Sequence, residues 1–211
     1  MPTFQTRDST TPDFWTERFE QQFMPWDRGG VPQAFKQFVA AAPRPMTTLI
    51  PGCGMGYEVA YLCEAGWDVT AIDFSPVAVA VAKQVLGARA QHVIEANFFD
   101  FQPPRSLDVI YERAFLCALP SKMWGQVAAR WAALLPAGGV LAGYFYLDNA
   151  SKGPPFGITE EALSALLTPY FKRINDDPVA DSIPVFEGRE RWQIWQRCGD
   201  NSSFGTDFSH L

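Results

Sequence analysis

The sequence predicts an α/β fold: a central, mostly parallel sheet of seven strands with an antiparallel C-terminal strand, and helices on both faces. Three observations predict it. A strand, a glycine-rich turn, a helix and a second strand follow one another between residues 46 and 73. Strands and helices then alternate, which is typical of a parallel sheet. Finally, two strands predicted over 169–177 and 190–197 have no helix between them, which indicates a closing hairpin.

The composition is that of one globular domain with a sizeable core. The 211 residues are 47% hydrophobic and 19% charged, which is ordinary for such a domain. The net charge is −6 and the basic residues are scattered, so we expect no nucleic-acid partner. Four cysteines without a C-x-x-C pair and only two histidines predict no metal site. No signal peptide or long apolar run is present, so we expect a cytoplasmic protein with no membrane partner.

The first 45 residues are predicted to form a helical lid. The polar residues 1–12 are expected to be poorly ordered, and a helix is expected from Asp13. Spacings of four, four and three place the following aromatic residues on one helical face: Trp15, Phe19, Phe23 and Trp26. This face either packs on the core or covers a bound ligand, where it would exclude water and attract a cation. A second helix is predicted over 32–42, and a core over 46–198 precedes a loose tail at 199–211.

The glycine loop has the sequence G-C-G-M-G and follows the first predicted strand. Gly52, Gly54 and Gly56 leave a backbone without Cβ atoms to obstruct a ligand. The dinucleotide fingerprint G-x-G-x-x-G/A fails in both registers, because its last position is Tyr57 or Val59. The loop instead resembles the G-x-G-x-G of S-adenosylmethionine (AdoMet) methyltransferases, where it lies against the amino-acid part of the cofactor.

Asp73 follows the second predicted strand, which spans 67–72. Ligands of open α/β sheets bind at the carboxyl ends of the strands, so Asp73 is expected to face the glycine loop. There its carboxylate can accept hydrogen bonds from two ribose hydroxyls. Many AdoMet enzymes also carry an acid two residues before the first glycine, where this chain has Ile50.

The turn after the third strand, predicted over 90–95, is a candidate adenine site. In AdoMet enzymes this turn flanks the adenine ring with an acid or amide beside an aromatic or apolar residue. Asn97 with Phe98 fits this description, and Asp100 is a second candidate. The alternative is an ordinary turn with a buried phenylalanine.

The fourth strand, predicted over 107–112, is followed directly by Arg113. At the carboxyl end of a central strand, a cation can hold an anionic acceptor or the carboxylate of the cofactor. The alternative is a surface or structural arginine. The D/N-P-P-Y motif of enzymes that methylate adenine or glutamine nitrogen is absent here, which disfavours that chemistry.

The remaining elements complete the fold. A helix over 122–135 and a P-A-G-G turn lead into a strand over 140–146, and a further helix opens at Thr159. Between them, the segment G-P-P-F at 153–156 either forms a wall of the acceptor pocket or is a stiff connection.

Four segments together resemble the thiopurine S-methyltransferase superfamily, which includes bacterial and plant thiol and halide methyltransferases. They are FWTERF…PWDRGG, LIPGCGMGYEVAYLCEAGWDVTAID, DVIYERAFLCALP and KGPPFGITEEAL. The resemblance covers residues 13–198 and implies a Rossmann-like class I methyltransferase fold with AdoMet as cofactor and S-adenosylhomocysteine (AdoHcy) as product. Phe19 stands where some members have tryptophan, and Asp73 stands where others have glutamate.

The resemblance also implies roles for individual residues. These are Trp15, Phe19 and Trp26 near AdoMet, Gly52 and Gly54 at its methionine part, Asp73 at the ribose, Asn97 with Phe98 at the adenine, Arg113 between cofactor and acceptor, and Tyr146 on the acceptor side. Arg113 and Tyr146 are the candidates for a catalytic role.

The implied reaction is methyl transfer by in-line displacement to a small soft nucleophile such as a thiol, thiopurine, sulfide or halide. Such an acceptor needs alignment and exclusion of water and no general base. Three alternatives stay open: an O- or C-methyltransferase of a small metabolite, a nicotinamide oxidoreductase, and a non-catalytic AdoMet-binding protein. The sequence fixes neither the acceptor nor the oligomeric state.

Overall fold

A single seven-stranded sheet forms the centre of the computed structural model, which describes residues 3–199. The strands are β1 (Thr47–Pro51), β2 (Asp68–Asp73), β3 (Val93–Glu95), β4 (Val109–Arg113), β5 (Val140–Tyr146), β6 (Phe171–Pro178) and β7 (Glu190–Arg197). They lie in the order β3-β2-β1-β4-β5-β7-β6. Only β7 runs antiparallel to its neighbours β5 and β6. The predicted fold class is therefore confirmed.

Six α-helices within the described residues cover the sheet. They are α1 (Pro12–Glu20), α2 (Gln33–Ala41), α3 (Tyr57–Glu64), α4 (Pro76–Leu86), α5 (Trp124–Leu134) and α6 (Glu160–Leu167). One core cluster packs α5 and α6 on one face around Trp131 and Trp195. A second cluster packs α2, α3 and α4 on the other face around Phe35, Tyr111 and Tyr144. Each such buried side chain contributes about 1.5–3 kcal/mol through its removal from water.

Two helix starts have the caps that the sequence indicates. The Ser75 hydroxyl accepts a hydrogen bond from the Ala78 N–H at 3.2 Å, and Pro76 occupies the first turn of α4. Thr159 caps α6 in the same way. Both side chains satisfy backbone donors that have no partner within the helix.

Two elements are shorter than their sequence patterns. The α1 helix ends at Glu20, because Gln22 has a left-handed backbone with φ of 51°, so Phe23 and Trp26 lie beyond it. The β3 strand has three residues, because a 3-10 helix occupies Gly87–His92.

The expectation of a poorly ordered N-terminal segment is wrong for residues 3–11. The backbone N–H groups of Gln5 and Thr6 donate to the Glu17 carboxylate at 2.6 and 3.0 Å. The Arg18 guanidinium lies over the rings of Phe4 and Phe14, with its Cζ 4.3 and 3.2 Å from their centroids. This arm is therefore fastened along α1. The predicted tail from residue 200 lies outside the described residues.

None of the helices formed by residues 3–199 has both the length and the apolar character needed to cross a membrane.

Candidate active site

A cavity of about 470 Å³ opens where the carboxyl ends of β1, β2 and β4 meet the N-terminal segment. Its walls come from the glycine loop, the residues after β2 and β3, the end of β4, the α1 region and the loop between β6 and β7. This is the edge of the sheet where an open α/β fold binds its ligand. The volume is typical of a small-molecule site.

The glycine loop forms one wall of the cavity, and its glycines have left-handed φ values of +62° for Gly52 and +53° for Gly54. A Cβ atom on Gly52 would lie 2.8 Å from Cδ2 of Phe115. A Cβ atom on Gly54 would meet only the Phe19 ring, at 4.0 Å. The first glycine is thus required by close packing. The second faces open space beneath the lid.

Asp73 ends β2 and is 8% exposed. Its Oδ2 accepts a hydrogen bond from the Gly54 N–H at 3.3 Å, and its Oδ1 accepts one from the Ser75 N–H at 3.0 Å. Burial raises the pKa of Asp73 to about 6, although these N–H groups favour the ionised form. Each carboxylate oxygen has two acceptor sites, so the pair retains capacity for ribose hydroxyls.

The residues after β3 supply an apolar slot with one amide. Phe98 is buried, and its ring centroid lies 5.0 Å from that of Phe115. The Asn97 Oδ1 accepts a hydrogen bond from the Phe99 N–H at 3.0 Å, which leaves its amide group as a donor. Asn97 and Phe98 both line the cavity, whereas Asp100 is not among the lining residues. This arrangement fits an adenine ring.

The four aromatic residues predicted on the lid face all line the cavity: Trp15, Phe19, Phe23 and Trp26. The Trp26 ring centroid lies 5.3 Å from that of Trp15 and 6.4 Å from that of Phe19. The Trp15 indole N–H donates to the Ser9 carbonyl at 2.9 Å. The Phe19 ring lies across from Gly54 of the glycine loop. Together the rings give the cavity an electron-rich, apolar wall that can attract a cation and exclude water.

Arg113 ends β4, and its Cζ lies 4.8 Å from the ring centroid of Tyr144. Its Nη1 and Nη2 atoms are buried and find no hydrogen-bond acceptor among residues 3–199. Burial opposes the charge, but the neighbouring Tyr111, Glu190 and Glu58 outweigh it, and the pKa of Arg113 is raised. Since a buried guanidinium without acceptors is costly, an anion in the cavity would stabilise it.

Tyr146 does not line the cavity, in contrast to its predicted place on the acceptor side. Its hydroxyl donates to Oδ2 of Asp148 at 2.7 Å and accepts from Arg189 at 3.0 Å. The Tyr146 hydroxyl is thus fixed by hydrogen bonds to both members of the Arg189–Asp148 ion pair. Its ring packs against Phe186, which does line the cavity.

Several lining residues had no place in the sequence-based site. Phe115, Tyr111 and Glu58 lie near predicted motifs, and Glu58 directly follows the glycine loop. Val185 and Phe186 come from the loop between β6 and β7, where the sequence carries no motif.

The lining residues include no histidine. The thiols of Cys53 and Cys117 line the cavity, but burial raises the pKa of both well above the ordinary value. Within residues 3–199, no group of three or more acidic, histidine or cysteine side chains is placed to hold a metal ion.

Comparison with known proteins identifies the sequence family. The model of the thiopurine S-methyltransferase family matches residues 10–198. Thiocyanate methyltransferase 1 of Arabidopsis thaliana is 24% identical, over 87% of this chain and 84% of its own. Thiopurine S-methyltransferase of Shewanella frigidimarina is 29% identical, over 76% of this chain and 83% of its own.

Solved structures of methyltransferases share the fold. The 1,6-didemethyltoxoflavin-N1-methyltransferase of Burkholderia thailandensis, solved with AdoHcy, has a TM-score of 0.70 at 20% identity and covers 94% of this chain and 93% of its own. The magnesium protoporphyrin IX methyltransferase of Synechocystis, solved with AdoMet, has a TM-score of 0.69 at 17% identity and covers 92% of this chain and 100% of its own.

Proposed function

Because this chain belongs to the thiopurine S-methyltransferase family and is an AdoMet-dependent methyltransferase, we propose that its acceptor is a small soft nucleophile: a thiol, thiopurine, sulfide or halide. The observation that carries this proposal is Arg113. Its two buried Nη atoms lack acceptors among the described residues and lie at a cavity with aromatic walls. A cation in such a place favours an acceptor that reacts as an anion.

The proposed cofactor position uses the part of the cavity that is formed by the glycine loop and the residues after β2 and β3. Asp73 binds the ribose hydroxyls, while Asn97 and Phe98 hold the adenine. The methionine part lies along Gly52 and Gly54, beneath the lid aromatics. When bound there, AdoMet supplies a methyl group on a sulfonium centre.

The chain's own residues then align and protect the acceptor. Methyl transfer would convert the bound AdoMet to AdoHcy, and the residues that line the cavity would align the acceptor with the methyl group and exclude water. Arg113 stabilises the anionic acceptor and lowers the pKa of a bound thiol. Trp15, Phe19 and Trp26 exclude water and favour the sulfonium charge. The buried, weakly acidic Cys53 and Cys117 take no part as bases.

The test is AdoHcy formation with a panel of acceptors: a thiopurine, an aryl thiol, sulfide, iodide, thiocyanate and a catechol. The proposal predicts turnover with the sulfur or halide acceptors and none with the catechol. Turnover with the catechol alone would contradict it and would favour the alternative, an O- or C-methyltransferase. Asp73→Asn serves as the control, because it keeps the side-chain shape and should lower the signal strongly through weaker cofactor binding.

A further inference from the structure

Three acidic residues line the cavity within the described part of the chain: Asp27, Glu58 and Asp73. Asp73 accepts backbone hydrogen bonds from Gly54 and Ser75 and is the proposed ribose ligand. Asp27 lies in the half-buried segment after α1 and accepts from the Gly29 N–H at 2.9 Å and the Tyr57 hydroxyl at 3.4 Å. Each of these two carboxylates therefore already has a role.

Glu58 is different, because it is buried and forms no close ion pair within the described residues, although the charge of Arg113 acts on it from a greater distance. It lies in the first turn of α3, directly after the glycine loop, and is 8% exposed. Its Oε1 accepts one long hydrogen bond, from the Tyr111 hydroxyl at 3.4 Å. No lysine or arginine nitrogen among residues 3–199 lies within 4.0 Å of its carboxylate. Burial raises the pKa of Glu58, and the charge of Arg113 offsets this effect only in part, so a cation in direct contact would stabilise the carboxylate.

The end of β1 offers no carboxylate of its own. Ile50, two residues before the first glycine, lines the cavity with an apolar side chain and is 5% exposed. The methionine part of AdoMet carries an α-ammonium group with three N–H donors, which needs an acceptor once it leaves water. Glu58 is the under-satisfied acceptor nearest in sequence to the glycine loop.

We propose that Glu58 binds the α-ammonium group of the AdoMet methionine moiety. This assignment rests on the proposed position of the cofactor at the glycine loop. Glu58 thereby supplies, from the first turn of α3, the negative charge that Ile50 cannot supply from the end of β1. The pairing relieves the desolvation of Glu58, since an ammonium donating to a carboxylate forms a charge-assisted hydrogen bond.

Binding of two ligands by calorimetry tests the assignment. AdoHcy has the amino-acid group but no sulfonium charge, and 5′-methylthioadenosine has the same adenosine thioether without the amino acid. Glu58→Gln keeps the side-chain shape and removes the charge. We expect it to weaken AdoHcy binding about 10- to 100-fold and to change methylthioadenosine binding less than about twofold. Glu58→Asp retains the charge and should recover part of the AdoHcy affinity.

The control is Asp27→Asn, which makes the same charge change at another lining acid. We expect it to affect both ligands equally and weakly. Equal weakening of both ligands by Glu58→Gln, or no weakening of either, would overturn the assignment, as would an AdoHcy-specific loss in Asp27→Asn. Failure of the wild-type protein to bind methylthioadenosine would contradict the cofactor position itself, and with it the proposed function.

Discussion

The side-chain oxygens of Thr16 and Ser75 lie 2.9 Å apart and join α1 to the start of α4. Ser75 also caps α4, and its backbone N–H donates to Asp73 at 3.0 Å. One serine therefore connects the helix that covers the cavity, the helix beside it and the proposed ribose ligand. Helix α1 of the lid is thus linked to Asp73 through the hydrogen bonds of Ser75.

Thr16→Val should weaken AdoHcy binding about 2- to 10-fold, because it removes one hydrogen bond while it keeps the side-chain shape. Calorimetry measures this change. Thr10→Val is the matched control, since within residues 3–199 the side-chain hydroxyl of Thr10 bonds only to Asp8, in the N-terminal arm. Equal AdoHcy affinity in wild type and Thr16→Val would show that the contact does not support the site.

The raised pKa of Asp73, about 6, predicts pH-dependent binding of the adenosine part. Ribose hydroxyls donate to the ionised carboxylate, so the ligand and the proton compete. The Kd of 5′-methylthioadenosine should be constant above pH 6 and should rise as the pH falls through 6, by up to about tenfold per pH unit. Asp73→Asn should bind weakly at every pH. A wild-type Kd that is constant from pH 7 to 5 would contradict the role of Asp73.

Much of the fold and part of the site were predictable because they depend on local pattern and sheet topology. Strand–helix alternation fixes a parallel sheet, and a parallel sheet brings the ends of neighbouring strands together. The glycine loop and Asp73 are neighbours for that reason, although Gly54 and Asp73 are 19 positions apart in the sequence. The predicted order of strands and helices was therefore sufficient to place the glycine loop beside Asp73.

Other parts depend on contacts between distant segments, which carry no local pattern. The hydroxyl of Tyr146 accepts a hydrogen bond from Arg189, which lies 43 positions further along the chain, and Tyr146 does not line the cavity. The loop that brings Phe186 to the cavity is held by the ion pair of Arg28 with Asp181, at 3.0 Å. Neither segment has a composition or spacing that indicates its partner.

Gly52→Ala should destabilise the fold more than Gly54→Ala. Both positions have positive φ, so both variants carry a similar backbone cost of about 1–2 kcal/mol. Only at Gly52 does the added Cβ lie 2.8 Å from Phe115. We expect an additional loss of about 1–3 kcal/mol in the free energy of unfolding, measured with urea. Equal losses would mean that Phe115 moves aside freely.

Glu112 should make stability pH-dependent. It is buried, and its carboxylate accepts hydrogen bonds from the backbone N–H groups of Phe115 and Leu116. Burial raises the pKa of Glu112 from 4.5 to about 8. The folded protein thus holds the proton more tightly than the unfolded chain. This stabilisation is complete below pH 4.5, decreases as the pH rises from 4.5 to 8, and is lost above pH 8.

Glu112→Gln, which cannot ionise, isolates this effect. From pH 5 to 8 the free energy of unfolding of the wild type should fall relative to the variant by about 3–5 kcal/mol. Urea unfolding at several pH values measures the difference. A constant difference between the two proteins across this range would contradict the raised pKa.

The pH–rate profile of thiol methylation in Arg113→Gln tests the central claim most directly. With a thiol that titrates near neutral pH and saturating AdoMet, kcat should rise with pH as the bound thiol ionises. Loss of the Arg113 charge should raise the apparent pKa of that profile by about one unit or more. Arg189→Gln, a charge loss outside the cavity lining, should leave the profile unchanged. An identical profile in Arg113→Gln and wild type would contradict the claim that Arg113 holds the acceptor anion.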